Sequence, residues 1–140
     1  MPCTAETPIP FIDPNKDPAI FVKALATQPL PPPLSPDNSV RQFAGYATMT
    51  TAGEFTRLLN NHLPVEVYFE ETSVDAWAGL VVFDREVGLG LAEMYKYCET
   101  VDYFGGQEGG TTIITELALE DSPTKMEDWV KAQDWSFLFK

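Results

Sequence analysis

Acid–base chemistry in this chain would have to start from His62, its single histidine. A general base of that kind needs a carboxylate to orient it and a nucleophile or proton donor beside it. Glu66, Tyr68 and Glu70 follow at alternate positions, so on an extended strand they share one face. Lining a cavity, two carboxylates and a phenol could exchange protons with a substrate. Facing water, the same alternation is only the polar side of a half-buried strand. His62, Glu66, Tyr68 and Asp84 are therefore the catalytic candidates of an enzyme or ligand carrier, with a pocket between a curved sheet and the first helix of the domain. Against this, a helix C-terminus favours the charged imidazolium and gives His62 a structural role.

The other chemical motifs are incomplete. The acid pairs Glu70-Glu71, Glu120-Asp121 and Glu127-Asp128 lack the alternating oxygen ligands and turn glycine of a calcium loop. Cys3 and Cys98 form no CxxC or Cys/His cluster, so no zinc site is expected, and two cysteines do not make a disulfide framework. Residues 105–110 hold four glycines but lack the Lys-Ser/Thr of a P-loop, and a strand is expected after them. Residues 87–93 lack the third glycine of a dinucleotide fingerprint, and Glu93 would repel phosphate. No GxSxG elbow occurs. Neither a metal nor a cofactor is expected.

The elements that would position these residues are clearest around His62. Thr51 and Glu54 have capping-box spacing. Phe55, Leu58, Leu59 and His62 then recur at helical spacing, and Pro64 stops the helix. Val65, Val67 and Phe69 alternate with Glu66, Tyr68 and Glu70, which predicts a strand over 65–71. Further strands are expected over 43–49, 77–83, 100–104 and 111–119, with the 65–71 and 77–83 pair as an antiparallel hairpin. A helix is favoured from about Gly90 to Cys98, with a long strand as its competitor. Ser122-Pro123 opens a final helix, and alternating Trp135, Phe137 and Phe139 end the chain as a strand or an aromatic anchor. The expected class is α+β: a mainly antiparallel sheet of five or six strands with two or three helices, over residues 42–140.

Residues 1–41 read as a separate Pro-rich extended arm, since ten of the twelve prolines fall there. One short helix interrupts it, with Asp17 as cap, Pro18 in the first position and an apolar strip of Ile20, Phe21, Ala24 and Leu25. The proline strip 29–36 is either a docking ligand for an aromatic groove or a spacer; the apolar residues before it argue for an arm that packs on something.

Charge narrows the functional classes. Acids outnumber bases 21 to 9, for a net charge of −12 on 140 residues. That field repels nucleic-acid phosphates and anionic lipid, so neither nucleic acid nor membrane is an expected partner, and a basic protein surface is. From Asp84 to Asp128, eleven acids stand against only Arg85, Lys96 and Lys125. Interleaved with tyrosines, they suggest an interface built from Glu66, Tyr68 and Glu70, or from Glu93, Tyr97, Glu99 and Tyr103. The expectation is thus a non-catalytic subunit, adaptor, inhibitor or immunity-type factor, with homo-oligomerisation left open. A third reading has the acidic face mimic nucleic acid on a basic site. No secretory leader is read at the N-terminus, which points to a cytoplasmic setting. The order of predicted elements in a small acidic protein resembles type III secretion chaperones of the first class, in topology and charge alone.

Overall fold

The structure, a computed structural model, describes residues 1–31, 42–80, 84–104 and 111–139. The chain divides into two compact units, one of Met1–Ile9 with Thr50–Tyr103 and one of Pro10–Met49 with Phe104–Lys140. The elements in order are β1 (Pro8–Phe11), α1 (Asp17–Thr27), β2 (Gln42–Ala44), β3 (Thr48–Thr51), α2 (Ala52–His62), α3 (Val74–Ala78), α4 (Arg85–Val101), β4 (Thr111–Ile113) and α5 (Met126–Ala132). Short 3-10 turns occupy Ile114–Glu116 and Ser136–Phe139. β1 pairs with β3, and β2 pairs with β4 in parallel, Phe43 opposite Thr112.

The chain is α+β, but the expected sheet of five or six strands does not form. Five α-helices and two two-stranded sheets are described instead. Each missing strand has a local reason. Over 66–70 the exposure alternates as predicted, though Val65 is exposed, and no strand among the described residues partners the segment. The Asn60 carboxamide replaces one: Nδ2 donates to the Val67 carbonyl and Oδ1 accepts from the Val67 N–H, both at 2.7 Å. Residues 74–78 are helical, because the Ser73 hydroxyl accepts from the Ala76 N–H and starts α3. Residues 81–83 of that expected strand lie outside the described ones. α4 begins five residues before Gly90 and runs on to Val101, which removes the strand expected at 100–104. The strand at 111–119 shortens to three residues before the 3-10 turn. The chaperone-like order of elements falls with the sheet. The expected boundary between arm and domain, at 41, also lies outside the described residues.

In the first unit the capping box is complete. Thr51 Oγ1 accepts from the Glu54 N–H at 3.1 Å, and Glu54 Oε2 accepts from the Thr51 N–H at 3.0 Å. α2 then ends at His62, with Leu63 already extended, as the following proline requires. Gly53 lets this end of the helix approach residue 5: its N–H donates to the Ala5 carbonyl at 2.9 Å, and a Cβ would meet that oxygen at 3.1 Å. The core of the unit contains Cys3, Leu59, Ala78, Ala92 and Cys98.

In the second unit the core holds Phe21, Ala24, Ala44, Ile114 and Val130, and also Asp13 and Asp17. Asp17 is the first residue of α1, not its cap. Its Oδ2 accepts from the Asp13 N–H at 2.9 Å; its Oδ1 accepts from the Thr124 N–H at 2.8 Å and the Thr124 hydroxyl at 2.9 Å. A fully buried carboxylate is tolerable only when its lone pairs are satisfied in this way. The Gln28 amide donates to the Ala118 carbonyl, 90 positions on, and Lys23 pairs with Glu120 at 2.5 Å. α5 begins at Met126, three residues after the proline expected to open it. Trp129 packs edge-to-face on Phe11 and on Trp135, and Trp135 Nε1 donates to the Val130 carbonyl at 2.8 Å. Residues 136–139 thus form a 3-10 turn and no strand.

Candidate partner-binding surface

α4 organises the most unusual surface of the first unit. Asp84 caps it, with Oδ1 accepting from the Glu86 N–H at 2.7 Å. Asp84 is therefore an exposed helix cap and not an inward-facing acid. α3 packs on one side of α4: Trp77 meets Tyr95 edge-to-face at 5.6 Å, and Gly88 and Ala92, on the same side by helical spacing, are buried. Burial pushes the Tyr95 phenol above its usual range. Burial likewise pushes the thiols of Cys98 and Cys3 up, which keeps both as inert apolar groups. At its far end α4 stops at Asp102, whose positive φ of 85° is rare for a residue with a side chain.

The remaining apolar stripe faces outward. Val87, Leu91 and Val101 are 53%, 39% and 41% exposed, and Tyr97 is 50% exposed. Nothing lies within 4 Å of where a Cβ on Gly90 would sit. Val87, Leu91, Met94, Tyr95 and Cys98 fit a helical stripe by their spacing, but only Cys98 of them is buried. Helix–helix packing chose the small residues Gly88 and Ala92 as the buried side, about 100° away from the more hydrophobic one.

Charges border this stripe unevenly. Arg85 pairs with Asp75 at 2.9 Å and Lys96 with Glu99 at 2.5 Å. The Glu99 pairing draws that carboxylate away from an outside partner and raises the Lys96 pKa through its hydrogen bond. Glu86 and Glu93 form no ion pair among the described residues. Tyr103 lies just beyond the helix end and is exposed.

The other predicted positions do not converge. His62 is exposed at the C-terminus of α2. Glu66, Tyr68 and Glu70 are exposed along the extended segment, Tyr68 by 77%. The segment is fixed by Asn60 and by the first residue: the Met1 carbonyl accepts from the Thr72 N–H at 3.0 Å. An open cleft of about 510 Å³ lies beside it, lined by Pro2, Glu71, Thr72, Ser73, Val74 and Lys96. None of His62, Glu66, Tyr68 and Asp84 lines that cleft, and the curved sheet that was to wall their pocket is the one that does not form. Ser73 Oγ is committed to capping α3 and Lys96 to Glu99.

Among the described residues, no group of three His, Cys, Asp or Glu side chains is placed to hold a metal ion. No described helix is long and apolar enough to cross a membrane. No family model matches the chain, and no curated protein or solved structure matches it. Function must therefore be argued from the surface itself.

Proposed function

We propose that this is a non-catalytic protein that binds a partner protein with a basic surface. The observation that carries the reading is Tyr68, the most exposed large side chain with an apolar body among the described residues, set between the exposed carboxylates Glu66 and Glu70. An aromatic held in water costs solubility and is the kind of anchor that binding interfaces use. The backbone of the preceding residue, Val67, is pinned by the Asn60 carboxamide, which lowers the ordering entropy to be lost on association. The acidic excess of the chain supports a basic partner and disfavours nucleic acid. The two buried free thiols fit a cytoplasmic, reducing setting.

The test is photo-crosslinking in the native source, with a benzophenone amino acid replacing Tyr68 in the full chain. A crosslinked protein whose capture falls steeply between about 50 and 300 mM salt is the expected result. Salt-insensitive capture removes the electrostatic mechanism. Turnover of a small molecule by the full chain, with no crosslinked protein, removes the reading altogether.

A further inference from the structure

We infer that the outward face of α4 docks a basic amphipathic helix of the partner, in a short two-helix coiled-coil contact. This rests on the partner-binding reading and adds a second place and a chemistry for the contact.

The spacing along α4 is that of a heptad seam. Val87, Gly90, Met94, Tyr97 and Val101 recur at intervals of three and four, which is the pattern one helix offers another. The side of α4 that α3 covers is a different one, marked by Gly88, Ala92 and Tyr95. The seam therefore stays outward, with Val87, Tyr97 and Val101 exposed. Apolar groups repeated along several helical turns form a contiguous patch, not isolated surface residues.

Gly90 sharpens the inference. A glycine in mid-helix weakens the helix, and this one has no neighbour among the described residues that a Cβ would strike. Its lack of a side chain is accounted for by a partner backbone that passes close over the seam there.

The charges define the occupant. Glu86 and Glu93 sit one heptad apart, directly before Val87 and Met94, where flanking charges select coiled-coil partners. Both are exposed and form no ion pair among the described residues, whereas Arg85 and Lys96 are already neutralised by Asp75 and Glu99. The seam thus presents unbalanced negative charge. A second copy would bring its own glutamates against these and be repelled; a helix with Lys or Arg beside its apolar stripe would be attracted.

The probe is a synthetic peptide of about three heptads with Leu at the seam positions and Lys or Arg beside them, alongside a version with Glu in place of the bases. Each is titrated into the full chain by fluorescence anisotropy at low and high salt, and amide hydrogen exchange locates the contact. The basic peptide should bind at least about tenfold more tightly than the acidic one and protect α4. E86Q/E93Q should weaken it about tenfold at low salt and much less at high salt. Gly90→Lys should abolish binding while leaving the thermal midpoint unchanged or higher, since the position is open and lysine is the better helix former.

Equal binding of the two peptides, or wild-type affinity in Gly90→Lys, overturns the proposal. So does self-association through α4 that excludes the peptide. Protection over 65–71 in place of α4 sinks the helix-docking contact but leaves the partner-binding reading intact. Peptide bound on α4 with no protein crosslinked in the native source leaves the contact standing and sinks the broader reading.

Discussion

The two units of the molecule start their helices in opposite ways, although each also has long-range bonds, as Met1 to Thr72 in the first. In the first, the hydrogen bonds that start the helices close within three residues: Thr51 with Glu54, Ser73 with Ala76, Asp84 with Glu86. In the second, the decisive ones join residues 69 to 107 positions apart. Asp17 reaches Thr124, Gln28 reaches Ala118, and β2 pairs with β4 across 69 positions, Gln42 opposite Thr111. A unit built from local caps can leave a hydrophobic helix face uncovered, because its helices start without it. A unit joined by long-range contacts must bury what it joins, and its tryptophans Trp129 and Trp135 stack into packing that continues to Phe11. The surface proposed for binding lies on the locally capped unit.

The strongest way to break this contrast is at Asp17. Asp17→Ala leaves the Asp13 N–H, the Thr124 N–H and the Thr124 hydroxyl without their acceptor, in a site with no exposure. Orphaning several part-buried donors at once should cost about 3–5 kcal/mol. Trp129 and Trp135 report the second unit and Trp77 the first, so denaturant unfolding of W77F and W129F/W135F backgrounds separates the two. The expected outcome is early loss of the Trp129/Trp135 signal. A midpoint shifted by less than about 1 kcal/mol would mean that the buried carboxylate does not join the segments of this unit.

The same contrast explains what could be read from the sequence. The capping box at Thr51, the end of α2 before Pro64 and the helical character of 90–98 were legible because each depends on residues a few positions away. The strand at 65–71 was misread because alternation reports which side chains face water, and does not report what pairs with the backbone; Asn60 supplied that partner from seven residues upstream. Asp17 was read as a helix cap because its link to Thr124 lies 107 positions away, beyond any local pattern. The parallel pairing of β2 with β4 was invisible for the same reason. At the candidate surface, Tyr97 and Glu93 were singled out from charge and aromaticity. Val87 and Leu91 were not, since their spacing says only that a helix has an apolar side and not whether something covers it.

A local cap should matter less. Thr51→Ala removes one half of the capping box and leaves Glu54 to bond the residue-51 N–H alone. The expected cost is about 1 kcal/mol, read on the Trp77 signal, with the second-unit tryptophans unmoved. A loss as large as that of Asp17→Ala would show that the first unit is no more local in its stabilisation than the second.

Alkaline pH probes the first unit without any substitution, and should give the smallest effect. Both cysteines belong to that unit and both thiols are pushed up, chiefly by burial. Because the folded pKa values lie above the unfolded ones, the folded chain holds more protons than the unfolded chain once the pH passes the ordinary thiol value of about 8.5. The stability is therefore complete below that value and is lost as the pH rises through the raised values. Tyr95, shifted in the same direction by burial, extends the loss further into the alkaline range. The Trp77 melting temperature should fall between about pH 8 and pH 10 ahead of the Trp129/Trp135 signal, and Cys98→Ala should flatten part of that fall. If the second-unit tryptophans move first, the buried thiols are not what separates the two units under alkaline conditions, and the exposed lysine pairs Lys23–Glu120 and Lys131–Glu127 become the groups to examine.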